Sequence, residues 1–238
     1  MKKTMVVMAL LVAGFLVEVT PASAAKNYVS GDIGIVWLNN LTDTYSTSNY
    51  VFPMLFRTTN DNRLAFAGSG ITLHGAIGSD FGHYRIEGEL GYQRNSVSNL
   101  TKGISSAGSF PPSSTVTDLA GNVSVTSILL NGYYDIHAGG IDPYITAGVG
   151  GASISFNDIN APASSLQYSG SYANAQATAI AYQIGAGVAI PLCKNVKLDA
   201  RYRYFATGKV GSITTSQVTL NDFSLISNSI VLGLRVGI

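Results

Sequence analysis

Apolar and polar residues alternate without a break along Tyr84–Gln93. Tyr84, Ile86, Gly88, Leu90 and Tyr92 share one parity; Arg85, Glu87, Glu89, Gly91 and Gln93 share the other. Successive side chains of a strand point to opposite faces, so the stretch predicts a strand with one apolar and one charged face. An aromatic ring stands at each end of the apolar face. That arrangement suits a transmembrane barrel strand: apolar toward lipid, polar toward the lumen, aromatic at the two water interfaces.

The same period recurs along the chain. Tyr28–Leu38 sets Val29, Gly31, Ile33, Ile35 and Trp37 against Ser30, Asp32 and Gly34. Ser69–Ile77 sets Ile71, Leu73, Gly75 and Ile77 against Thr72 and His74. The Tyr84 strand follows and runs on toward Val97. In Val123–Asp135, Ile128, Leu130, Gly132 and Tyr134 point outward and Asn131, Tyr133 and Asp135 inward. Pro143–Phe156 alternates Ile145, Ala147 and Val149 with Tyr144, Thr146 and Gly148. Ala177–Ile190 sets Tyr182, Ile184, Ala186, Val188 and Ile190 against Gln183, Gly185 and Gly187. Val196–Phe205 sets Val196, Leu198, Ala200, Tyr202 and Tyr204 against Lys197, Asp199, Arg201 and Arg203. A last strand ends in Leu232-Gly233-Leu234-Arg235-Val236-Gly237-Ile238.

This reading gives eight strands. Four connections are long and polar: Asn39 to Arg63, Ser98 to Asn122, Phe156 to Gln176, and Thr207 to Asp222. They alternate with the short turns Gly78–Gly82, His137–Asp142 and Pro191–Asn195. An even strand count with short turns at one end and long loops at the other is the pattern of bacterial outer-membrane barrels, and it puts both termini on the periplasmic side. All 7 prolines fall in the leader, a loop, a turn or a strand's first position, where a missing N–H is tolerated. With direction assigned, Trp37, Tyr92, Tyr182 and Tyr204 fall near outer strand ends and Tyr84 and Tyr134 near periplasmic ends, a pair of aromatic girdles.

Composition sharpens the class. Of 238 residues 46% are hydrophobic and 11% charged, under half the roughly 25% of an ordinary soluble domain. The formal net charge of +1 offers no basic footprint for nucleic acid. Lys2 and Lys3, the apolar run Met5 to Val17, and Pro21-Ala22-Ser23-Ala24 read as a cleaved secretory signal peptide over residues 1–24. The run is shorter than the about 20 residues of a spanning helix. Loss of Lys2, Lys3 and Glu18 leaves a neutral mature chain, read as one barrel domain over residues 25–238. The all-β alternative, a secreted soluble barrel of lipocalin type, needs an apolar interior and a charged exterior; here the charges share faces with Gly, Gln and Asn.

The runs Arg85-x-Glu87-x-Glu89-Leu90-Gly91-Tyr92, Asn131-Gly132-Tyr133-Tyr134-Asp135 and Pro143-Tyr144-Ile145-x-Ala147-Gly148-x-Gly150 resemble the opacity-protein and surface-antigen group of small outer-membrane β-barrels. Ala181-Tyr182-Gln183-x-Gly185-Ala186-Gly187 and Tyr202-Arg203-Tyr204-Phe205 extend the likeness. Such barrels are similar to the membrane domain of outer membrane protein A. The resemblance implies an all-β, eight-stranded antiparallel up-and-down transmembrane barrel and a non-enzymatic surface protein. It also implies partners: outer-membrane lipid and lipopolysaccharide, the barrel-assembly machinery through the C-terminal strand, and a host or matrix ligand at the loops. The family's last residue is usually Phe; Ile238 departs from that.

Asp32, Arg85, Glu87, Glu89, Lys197, Asp199, Arg201, Arg203 and Arg235 are the expected lumen charges. Eight strands enclose only enough room for their own side chains, so these groups must pair. A plug of neutralising charges and a narrow channel for small solutes or ions both use the same residues, and both readings stand. His74, His83 and His137 show no metal-ligand spacing, and His74 is expected to join the lumen network. No nucleophile and base are paired in the sequence, so no catalytic, cofactor or metal residue is expected. Cys193 lies in a turn without a partner cysteine. Tyr45, Tyr50, Phe52, Leu55, Phe56, Phe110 and Tyr168 are candidate contact residues of the loops.

Overall fold

The computed structural model of the protein describes residues 26–39, 41–51, 54–66, 68–106, 114–116, 120–160, 171–172, 175–210, 213–214, 219–220 and 223–238. The expected leader, residues 1–24, lies outside them. Eight strands form the barrel: β1 (Lys26–Leu38), β2 (Gly70–Asp80), β3 (Tyr84–Ser106), β4 (Ala120–Asp135), β5 (Asp142–Asn160), β6 (Ala175–Cys193), β7 (Val196–Thr207) and β8 (Ile226–Gly237). Each pairs antiparallel with its neighbour in sequence, and β8 closes on β1 from Tyr28 opposite Gly237 to Leu38 opposite Ser227. Closure leaves no barrel edge, and every wall strand finds its hydrogen bonds within the sheet, as a lipid environment demands.

The two faces follow the parity of the sequence. Ile33, Leu73, Ile86, Leu90, Ile145, Val149, Ile184 and Leu232 lie on the outside and are 46–59% exposed. Arg85, Glu87, Glu89, Asn131, Gln183 and Arg201 lie inside and are at most 5% exposed. Arg94, Thr126, Ser153 and Thr178 end the apolar exterior on their strands toward the long connections. A membrane crossing takes about 9–11 tilted residues. β3 has 23, β5 and β6 have 19 each, and β4 has 16. Their turns at the other end are short, so the surplus extends past the band at the end carrying the long connections. That end is called the loop end here, and the opposite one the turn end.

The four long polar connections carry strands of their own among the described residues. Between β1 and β2 the chain forms a hairpin of two strands, Leu41–Val51 and Met54–Phe66, paired throughout. The second of these pairs with the upper part of β3, Thr58 opposite Ser106 through Phe66 opposite Val97. Ser114–Val116 adds to β3, Ser171–Tyr172 to β5, and Ile213–Thr214 pairs with Thr219–Leu220. The sequence Leu-Thr-Asp-Thr-Tyr-Ser-Thr-Ser-Asn-Tyr-Val is polar yet rich in β-branched and aromatic residues, which favour extended backbone. Outside a bilayer a strand can be wet on both faces, so it needs no apolar alternation. Polarity alone misreads it as loop.

Ile128 is an exception on the outer face. It keeps the outward parity of Leu130 but is 8% exposed against 50%. It lines a wall groove of about 380 Å³ together with Gly150, Gly151, Thr178 and Ile180.

Candidate functional site

Inward-facing side chains fill the lumen in two layers. The layer nearer the turn end is polar. Arg85, on β3, donates from Nε and Nη2 to the two Asp135 oxygens of β4 at 2.6 and 2.9 Å, a bidentate pair. Its guanidinium lies 4.0 Å from the Tyr133 ring centroid and 5.1 Å from that of Tyr144. Such stacking on aromatic faces suits a desolvated arginine. Glu87 has no cation within ion-pair distance among the described residues. Its carboxylate instead accepts from Tyr133 Oη at 2.7 Å, Tyr28 Oη at 3.0 Å and Ser30 Oγ at 3.4 Å.

One step further in, Arg201 joins three strands. It donates to Tyr133 Oη at 2.8 Å, Asp32 Oδ2 at 2.9 Å and Glu89 Oε2 at 3.3 Å. Arg203 pairs with the other Glu89 oxygen at 3.1 Å. His74 bridges Asp32 and Arg203, so it belongs to the network as expected. Asn131 donates to Glu89 at 3.2 Å and accepts from Gln183 at 2.5 Å. Arg235 pairs with Asp199 at 2.7 Å, and Tyr144 donates to the same carboxylate. Lys197 pairs with Asp142 at 2.7 Å. Close quarters need missing side chains. A Cβ at Gly148 would overlap Asn131 Oδ1, and one at Gly187 would lie 2.5 Å from Tyr144 Cζ.

The layer nearer the loop end is mainly apolar, with Asn95, Thr207 and Ser227 buried among its members. Leu38, Val97, Val123, Val125, Leu129, Ile154, Phe156, Phe205, Phe223 and Leu225 form one cluster, with Phe156 and Phe223 ring centroids 5.8 Å apart. Between the ion pairs lies a cavity of about 20 Å³ bordered by Asp32, His74, Glu89 and Arg201, room for about one water molecule. At the turn end the barrel opens into a vestibule of about 640 Å³ lined by Lys26, Asp80, His137, Lys194, Lys197 and Arg235.

All nine expected lumen charges therefore face the interior, with Lys197, Asp199 and Asp32 partly accessible. Sequence reasoning placed Asp135 inward but did not count it as a network charge, and it missed Asp142, the hydroxyls of Tyr28, Tyr133 and Tyr144, and the apolar layer. Val123-x-Val125 and Ile154-x-Phe156 carried that last signal, because they put apolar residues at inward parity. The girdle residues lie on the outside. Tyr84 and Tyr134 face each other in register with rings 5.4 Å apart, and Trp37 and Tyr204 flank Asn228 on β8. Trp37, Tyr92 and Tyr182 are exposed and Tyr204 is half-buried. Of the loop candidates, Phe52, Phe110 and Tyr168 lie outside the described residues. Tyr45, Tyr50, Leu55 and Phe56 are placed only as backbone of the hairpin. Cys193 is exposed and free.

Residues 34–222, most of the chain, match the family described as surface antigen. The chain belongs to that family. With a closed wall, an apolar exterior and paired charges inside, this surface antigen is an integral outer-membrane β-barrel. It is 34% identical over 92 residues to outer membrane protein PagN of Salmonella typhimurium, a match spanning 37% of this chain and 36% of PagN. Among solved structures it is similar to Neisserial surface protein A, with a TM-score of 0.49 at 19% identity, covering 91% of this chain and 100% of that one. It is also similar to outer membrane protein OprG of Pseudomonas aeruginosa, with a TM-score of 0.42 at 14% identity, covering 90% and 96%.

Proposed function

We propose that this surface antigen is a non-enzymatic, non-conducting anchor that holds its loop end at the cell surface for contact with the outside. The termini and short turns then lie on the periplasmic side. The observation that carries this reading is the double closure of the lumen, with ion pairs around a cavity of about 20 Å³ and an apolar layer beyond them. Ions moving through an eight-stranded barrel would have to displace both. The channel reading, which sequence alone left open, would need the ion-paired layer and the apolar cluster both to part.

In this reading the apolar exterior contacts outer-membrane lipid and lipopolysaccharide, and the final strand, ending at Ile238, presents the chain to the barrel-assembly machinery. Among the described residues the hairpin of Leu41–Val51 and Met54–Phe66, beside β3, is the longest paired element between barrel strands, and it is the segment offered to a host or matrix ligand.

Single-channel recording of the refolded protein in a planar bilayer tests the closed lumen. A folded barrel, shown by heat-modifiable gel mobility, is expected to give no steps; discrete steps would overturn the reading. Deleting residues 41–66 tests the contact role, with cell attachment to immobilised matrix expected to drop while the barrel still folds. Unchanged attachment would remove the hairpin from the proposal.

A further inference from the structure

Two histidines outside the lumen network meet at the turn end. His83 lies in the turn between β2 and β3 and His137 in the turn between β4 and β5, both exposed. Their ring centroids are 5.0 Å apart with planes at 84°. His83 Nδ1 lies 3.2 Å from the carbonyl oxygen of Asp135. A carbonyl only accepts, so Nδ1 carries the proton and Nε2 keeps a free lone pair. A hydrogen bond from one ring nitrogen to a backbone carbonyl is the usual way a metal-binding imidazole is oriented.

We propose that His83 and His137 form a two-imidazole site for a borderline divalent transition-metal ion, Cu²⁺ or Zn²⁺. Metal–nitrogen bonds of about 2.0–2.1 Å at a tetrahedral angle put two imidazole centroids about 5 Å apart, so the observed spacing already fits. Imidazole nitrogen selects Cu²⁺ and Zn²⁺ over Mg²⁺ and Ca²⁺, which need oxygen ligands. Among the described residues no third His, Cys, Asp or Glu is close enough to complete a cluster, so water occupies the remaining positions. Asp80, the last residue of β2, lines the vestibule with His137, and its Oδ1 accepts from the Gly82 N–H. The bound ion ties the two turns together, and a ligand that binds only the folded state stabilises it.

The proposal stands apart from the surface-contact reading. Its test is calorimetric titration of Cu²⁺ into the untagged full chain refolded in detergent, in a Cys193→Ser background that removes the exposed thiol. One ion per chain is expected, with an electron-paramagnetic-resonance signal showing two coupled nitrogens and a rise in the unfolding temperature. His83→Ala and His137→Ala should each weaken binding more than tenfold, since even residues that only orient a ligand are worth 10–100-fold. Both variants should still show heat-modifiable mobility and lose the metal-dependent rise. No binding by the parent, or binding retained in either variant, would overturn the site and leave the rings as an aromatic contact alone.

Discussion

Arg85 and Asp135 are joined by two parallel hydrogen bonds at the base of the lumen, with side chains 2% and 6% exposed. Removing one partner of a desolvated pair strands the other charge. Arg85→Met or Asp135→Leu alone is expected to cost about 3–5 kcal/mol, whereas the double substitution recovers most of that loss. Urea unfolding of the three variants in lipid vesicles measures this. A double variant as unstable as the worse single would mean that the ring stacking of Arg85, not its charge pairing, holds the site.

On the closed-lumen reading the two lumen layers are expected to act as independent barriers. Phe156→Ala should destabilise by about 3–5 kcal/mol through the cavity it leaves against Phe223. The pair Leu129→Ala and Phe156→Ala should still give no conductance, because the ion-paired layer remains. Adding Arg201→Ala should produce steps. Conductance from the apolar pair alone would make the apolar layer the single seal, as in pores gated by dewetting.

Gly148 gives Asn131 its space. Gly148→Val is expected to cost about 1–3 kcal/mol by overpacking and to break the Asn131 contacts with Glu89 and Gln183. Gly132→Val is the control, since an added Cβ there meets only the Ala147 carbonyl at 4.0 Å and faces outward. Equal losses in denaturant midpoint for both would contradict the steric account.

The exterior band predicts a depth profile. Leu90 is 57% exposed at mid-strand, and Leu90→Arg should lower folding stability in vesicles by about 2–4 kcal/mol. Thr126→Arg, at the loop-end margin, should cost no more than about 1 kcal/mol. A flat profile would mean that the apolar face does not meet lipid.

The sequence by itself determined the eight barrel strands and which side chains turn inward, because parity is a local property of extended backbone. Arg85, Glu87, Glu89 and Arg201 could be placed on the lumen side from their own neighbours. Their partners could not. Arg201 reaches Asp32 across 169 positions of sequence, and His83 meets His137 because two short turns fall side by side. Those meetings depend on register and on the stagger with which the sheet closes, quantities that belong to all eight strands together. The hairpin at the loop end was hidden for a different reason. In water an extended segment needs no apolar face, so Leu41–Val51 carries strand propensity without the alternation that marks a membrane strand, and only its pairing with Met54–Phe66 decides its structure.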